Sequence, residues 1–408
     1  MLDSTIKNQA SDRLFYITTV LCLSYACIFI TSIFLQKQIY LVQFFHFGLD
    51  QIDFLHASRD VIMHQDPYLR DRFVTPPLSV FINFPLISLD DYSAAVIFFI
   101  TNIVLTLGSI YITQRACELV LTQRLAIMLL SLISAPTLML FERGNIDGIV
   151  AIFVAVMLLQ IRRPIISGVL LGTAILIKVY PLILVFPLLI QRHYRAVIVC
   201  VATILIAFFG LTHLFVSFFS TLVSRVSINR LSENLSFFAF FFEVNQHLFA
   251  GGTSHFAGAI LKCTYYGSLF LILAMGIWCD INTARRNTLP DYEARAIMSS
   301  YLVFTVNIPG LVYLYTGIMV IILLIYFCDT RIQLGRNTSR MLCIGCILLF
   351  IPARSFNLTV GADNISNVVN FLPPLGSAML LAFFVCLKID ALRNGSASSS
   401  CSTCRFLV

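Results

Sequence analysis

Apolar runs of about 17–25 residues recur from one end of this 408-residue chain to the other, and nothing else in the sequence constrains the fold as strongly. A backbone that crosses hydrocarbon must satisfy its own N–H and C=O groups, which leaves α-helices or a closed β-barrel. Barrel strands would alternate apolar and polar residues over about ten positions, and this chain does not. It is 59% hydrophobic and 12% charged, where a soluble domain carries about 25% charged residues. The sequence predicts an all-α polytopic membrane protein: one transmembrane domain over 1–393 and a Ser-rich disordered tail over 394–408.

Candidate spans are 14–35, 92–113, 125–141, 148–161, 165–177, 179–190, 196–218, 262–281, 296–308, 311–328, 341–352 and 371–388, a bundle of about 12 helices. The first is too long for a signal h-region and reads as a retained helix. With the N-terminus inside, the short loops on the inner side carry Arg115, Arg124, Arg162, Arg163, Arg192, Arg195, Arg331, Arg336 and Arg340. That bias sets both termini in the cytoplasm. It also accounts for the net charge of +7 without a nucleic-acid partner. The inner loops hold no Gly-rich phosphate cradle. The 12 cysteines read as small free hydrophobes, and the Cys401–Cys404 pair lacks the partners of a zinc site. Nothing in the sequence calls for a metal or cofactor.

The outer side is where polar chemistry concentrates. The loop over 36–91 contains an island of charge from Asp50 to Arg72, and the loop over 219–261 is rich in Phe. If the start of the island is helical, Asp50 and Asp53 share a face; a solvated loop is the blander alternative. "DPY" at Asp66–Tyr68 and "TPPL" at Thr75–Leu78 are stiff turns. The amphipathic stretch Leu78–Leu89 looks like a helix lying in the interface. A second outer turn, FERGNIDG, packs Glu142, Arg143, Asn145 and Asp147 between two apolar segments. It can form a cavity wall or a plain solvated hairpin. A third feature is Lys178, followed by Tyr180 and Pro181 at a helix break. A lysine there snorkels or pairs with an anion such as phosphate. Arg354, in the last outer loop, is another candidate for a lipid phosphate.

Two ordered patterns resemble glycosyltransferase family 87. One runs Asp53–Phe54, Ala57, Asp66–Tyr68, Phe73, Pro76–Leu78, Pro85–Leu86; the other is G-x-x-x-G-x-A-x-x-I-K-x-Y-P over Gly168–Pro181. Thr75, His56 and Gln65 depart from the family pattern. The resemblance covers roughly 45–195. It implies a GT-C-like bundle in the inner (plasma) membrane with its active site at the extracytoplasmic face. It implies a polyprenyl-phosphate sugar donor, mannose by preference, and a glycolipid or glycan acceptor. It carries the catalytic aspartate over to Asp53, with Asp50 as runner-up, and the family lysine to Lys178. Lys178, Arg143 and Arg354 then become ligands of the donor phosphate. His56, Arg59, Glu142, Asn145, Asp147 and Tyr180 line the acceptor and sugar pocket. The chemistry agrees: a sugar phosphate has a good leaving group, so one base and some cations suffice, where a glycosidase needs two carboxylates. The rival expectations are a transferase for glucose or arabinofuranose, and a transporter or flippase for a lipid-linked sugar.

Overall fold

The computed structural model describes residues 48–70, 73, 75–225, 255–286, 289–307, 314–350 and 372–397. The expected span 14–35, Arg354 and the segment 398–408 lie outside them, as does most of the aromatic loop 219–261. Every regular element among the described residues is helical. In chain order these are α1 (Leu49–Ile62), α2 (Leu78–Phe81), α3 (Asp91–Arg115), α4 (Leu121–Ile133), α5 (Ala135–Arg143), α6 (Asp147–Leu159), α7 (Pro164–Ile177), α8 (Val185–Ile190), α9 (Tyr194–Gly210), α10 (Thr212–Arg225), α11 (His255–Arg286), α12 (Asp291–Ser300), α13 (Ile318–Phe327), α14 (Arg336–Phe350) and α15 (Leu372–Ala397).

By length and composition, α3 and residues Cys263–Thr283 of α11 can cross a membrane on their own, and α9 with α10 adds a bent third candidate. Apolar helices of 10–17 residues, among them α4, α6, α7 and α13, are shorter than a bilayer, and the described residues do not establish a count of 12 spans. The helices pack as a bundle around α13, in which every residue but Leu324 is buried. A helix that is apolar all round belongs in the middle. Around it, α3 packs on α6 and α7 on α9. The α7–α9 contact depends on two glycines: a Cβ at Gly168 would sit 2.4 Å from the Ala196 carbonyl oxygen, and one at Gly172 would sit 2.8 Å from the Thr203 Cβ. Without a hydrophobic force between helices in lipid, such close backbone approach supplies the attraction.

Four expected elements are broken. The span 125–141 divides into α4 and α5 at Ser134, because Pro136 opens a new helix. The span 196–218 bends by 98° between α9 and α10, so α10 runs across the axis of α9. The stretch Leu78–Leu89 is only one turn of α-helix, α2, and a 3-10 turn at Phe84–Leu86, because Pro85 stops it. The expected span 179–190 is a 3-10 turn at Tyr180–Leu184 leading into α8, with Pro181 at its start.

Charge is segregated to the two ends of α3 and α6. Asp91 and Asp147 open these helices. Arg115 and Arg162 stand at or just past their far ends, near Glu118, Asp291, Asp329 and Arg331. A buried ionic group joins α15 to α11. Lys388 of α15 places Nζ 2.8 and 2.7 Å from the two carboxylate oxygens of Asp280 on α11, and the Tyr301 hydroxyl donates to the same carboxylate at 2.7 Å. Lys388 is 1% exposed and Asp280 5%.

Candidate active site

Helix α1 carries the charged island and presents it on several faces. Asp50 points toward the turn between α5 and α6. Its Oδ1 lies 3.2 Å from Arg143 Nε, and Asn145 Nδ2 donates to its Oδ2 at 2.7 Å. The turn is built to receive it. Gly144 ends α5 in the left-handed region at φ 66°, which lets the chain reverse in one residue. A Cβ at Gly144 would also lie 2.7 Å from Gln51 Cβ, so α1 can approach only glycine here. Asn145 Oδ1 then accepts from the Asp147 backbone N–H at 3.2 Å and holds the start of α6.

Asp147 is fully buried at that start. The Tyr180 hydroxyl donates to its Oδ1 at 2.6 Å, and Lys178 acts on it electrostatically. Lys178 ends α7 in extended geometry, half-buried, and the 3-10 turn after it swings Tyr180 back beneath α6. Opposite charges thus pair Arg143 with Asp50 and Lys178 with Asp147, and the like charges of Asp50 and Asp147 also act on each other. Beside them Gln51 Nε2 donates to Asn83 Oδ1 at 2.9 Å.

Five sequence candidates, Asp50, Arg143, Asn145, Asp147 and Tyr180, therefore meet at one place, with Lys178 beside them. His56 and Arg59 sit elsewhere, on another face of α1. His56 Nε2 is 3.0 Å from Asp91 Oδ2, and Arg59 Nη1 donates to Asp91 Oδ1 at 2.8 Å. Arg59 also donates to the carbonyls of Ile87 and Leu89. Both residues tie α1 to the entry of α3. Glu142 belongs to α5, and its side chain lies outside the described atoms. Asp53, one turn along from Asp50, is half-buried.

The sequence reading missed Asp60 and Arg70. Asp60 lies two turns beyond Asp53, so the two carboxylates share a face of α1. Arg70 grips Asp60 side-on: Nε donates to Oδ2 and Nη2 donates to Oδ1 at 2.8 Å. That hydrogen bond raises the pKa of the guanidinium, burial works against it, and the charges of Asp60 and Asp53 add to the rise. The loop between them is tied down by the Tyr68 hydroxyl, which donates to the Thr75 carbonyl at 2.8 Å, and by Asp66, which accepts from the Tyr68 N–H at 2.9 Å. Rings then link α1 to α10: Phe54 to Phe73 at 5.9 Å, Phe73 to Tyr68 at 5.3 Å, and Tyr68 to Phe218 at 5.9 Å. Among the described residues no three His, Cys, Asp or Glu side chains group as a metal site would require.

The arrangement offers a half-buried carboxylate beside fixed cations, next to helices that suit a bilayer. That combination can take a proton from a hydroxyl and stabilise a departing anion. Comparison with known proteins points the same way. A model described as "Glycosyltransferase family 87" matches residues 73–306, more than half of the chain. The match includes the α5–α6 turn, Lys178 and Tyr180, and begins after α1. The chain is also similar to "GPI mannosyltransferase 1" of Kluyveromyces lactis, at 29% identity over 154 residues. That alignment covers 36% of this chain and 38% of the relative.

Proposed function

The chain belongs to glycosyltransferase family 87, and on that premise we propose that it is an integral-membrane transferase that moves mannose from a polyprenyl-phosphate donor to an acceptor hydroxyl. Asp53 is the general base, acting at the extracytoplasmic end of the bundle. The acceptor is a glycolipid or a glycan end. The name of the yeast relative supports mannose as the sugar.

The observation that supports the choice of base is the place of Asp53 on α1, within electrostatic reach of Arg70. Asp50 is held by Arg143 and Asn145 and serves to seat α1 on the α5–α6 turn. Asp53 stands one turn away on the same helix. It keeps partial contact with solvent and lies on the face that Arg70 overhangs. A base in that position takes the acceptor proton as the bond between the anomeric carbon and the phosphate oxygen lengthens. A single displacement inverts the anomeric centre. Lys178 balances Asp147 and keeps the floor of the site charged but neutral in sum.

The test is transfer by purified full-length protein in lipid nanodiscs, with a panel of polyprenyl-phosphate sugars. Asp53→Asn is expected to lower kcat by about 10²–10⁴, the usual worth of a positioned base, while the melting temperature stays unchanged. Wild-type turnover by Asp53→Asn would sink the assignment. Transfer of a different sugar with no activity toward the mannosyl donor would replace the substrate.

A further inference from the structure

A cation close to the proposed base is missing from the set that the sequence suggested. Arg70 reaches back over α1 from the "DPY" turn and is gripped by Asp60 along its Nε–Nη2 edge. A side-on grip fixes the plane of the guanidinium and directs its Nη1 edge away from Asp60. The Arg70 side chain is 43% exposed while that of Asp60 is 9% exposed. The pair is therefore lopsided, with a buried carboxylate holding a cation at the surface. Arg143, by contrast, is 13% exposed at its side chain and lies in the ion pair with Asp50. Asp53 and Asp60 are seven residues apart on α1, so the group that overhangs Asp60 lies along the face that carries the base.

The turn that leads into Arg70 is fixed by its own contacts. Asp66 caps the 3-10 turn at Pro67–Leu69, and the buried Tyr68 ring packs on Phe73 and Phe218. A loop held this firmly brings its next side chain to one place without ordering on binding.

We propose that Arg70, oriented by Asp60, binds the phosphate of the lipid donor beside Asp53. Asp60 is then a positioning residue. This rests on the reading of the donor as a lipid phosphate. The planar fork matches two phosphate oxygens, and it sits where charge grows as the sugar leaves.

Farnesyl phosphate is the probe, with farnesol as its uncharged control, bound to the full chain in nanodiscs and followed by thermophoresis. Arg70→Gln is expected to weaken farnesyl phosphate by about tenfold or more and to leave farnesol unchanged, as loss of a charge-assisted fork does. Arg70→Lys keeps the charge and a contact with Asp60, which guards against a folding defect. It is expected to remain at least about threefold weaker than wild type, because it lacks the fork. A farnesyl phosphate affinity equal to wild type in either variant overturns the proposal, as does a wild type that binds the phosphate no better than the alcohol. If Arg70 only braces the loop, Arg70→Gln and Asp60→Asn lower the melting temperature alike with no change in phosphate affinity, which also overturns it. The two readings fail separately. Farnesyl phosphate bound through Arg70 by a protein that transfers no lipid-phosphate sugar removes the proposed function alone. Sugar transfer with an unchanged donor KM in Arg70→Gln removes this inference alone.

Discussion

Replacing Lys388 with methionine tests how the last described helix is held to the rest. Lys388 and Asp280 are 108 positions apart in sequence and both almost wholly buried, with Nζ within 2.8 Å of both carboxylate oxygens. Nζ also lies 4.9 Å from the ring centres of Tyr301 and Phe384. Methionine keeps most of the stem volume and removes the charge. Asp280 then retains the Tyr301 hydrogen bond at 2.7 Å but faces the interior with no cation. Breaking one side of a buried pair costs about 3–5 kcal/mol. That corresponds to a fall in melting temperature of about 4–6 °C for a chain of this size. Replacing both charges with apolar groups of similar volume removes the stranded carboxylate, and such exchanges are neutral or stabilising by about 1–4 kcal/mol. Here the Tyr301 hydroxyl loses its acceptor, at about 1–3 kcal/mol, so Asp280→Leu with Lys388→Met should return close to wild type. The assay is thermal unfolding in detergent read from Trp278, the single tryptophan, two residues from Asp280 and 59% exposed. A Lys388→Met protein that melts within about 1 °C of wild type, or a double variant no better than the single, would refute the reasoning.

Other outcomes follow from particular contacts. Gly168→Ala should weaken the α7–α9 seam by about 1–3 kcal/mol, because the new methyl meets the fixed Ala196 carbonyl; unchanged thermal stability would count against that close approach. Tyr180→Phe leaves buried Asp147 without its hydroxyl donor and should cost about 1.5–3 kcal/mol, measured by the same melt. Asp329 is buried, which favours its neutral form, but hydrogen bonds from Arg331 outweigh burial and hold its carboxyl below the ordinary carboxylate range. Its stabilising contribution is complete above the unfolded pKa and is lost as pH falls through the lowered folded value. Asp329→Asn should therefore be less stable than wild type at pH 6, with the gap closing below about pH 3.8; a gap that stays constant from pH 6 to 3 would contradict the assignment.

Hydropathy made the helices legible because each needs only local pattern to declare itself. Pro181 marked a break that the structure shows, whereas Pro136 lay unread inside the expected span 125–141, which divides there. The meeting of the α5–α6 turn with Lys178 and Tyr180 was legible for a similar reason. Polar residues crowded between apolar runs have few places to go, and Asp147, Asn145 and Arg143 do converge. What could not be read was direction. His56, Arg59 and Asp50 sit within three turns of one helix, yet Asp91 draws the first two away from Asp50. A helical wheel orders faces but does not say which neighbour each face meets. Lys388 could not be paired from the sequence because its partner, Asp280, lies in a distant helix. Asp60 and Arg70 looked like ordinary loop charges until the turn between them brought them together.

The two attachments of α1 have a mechanical consequence. Asp50 fastens one end to the α5–α6 turn, and His56 with Arg59 fastens a second point to the start of α3. A rod held at one point can still pivot, and a rod held twice along one line can still roll. Anchors on different faces remove both freedoms. Asp53 lies between them, on the stretch with the least room to wander. A misplacement of about 1 Å can cost a reaction a hundredfold. In this helix the expense of fixing that position falls on folding, so a substrate that used Asp53 as the proposed base would find the carboxylate already in its place.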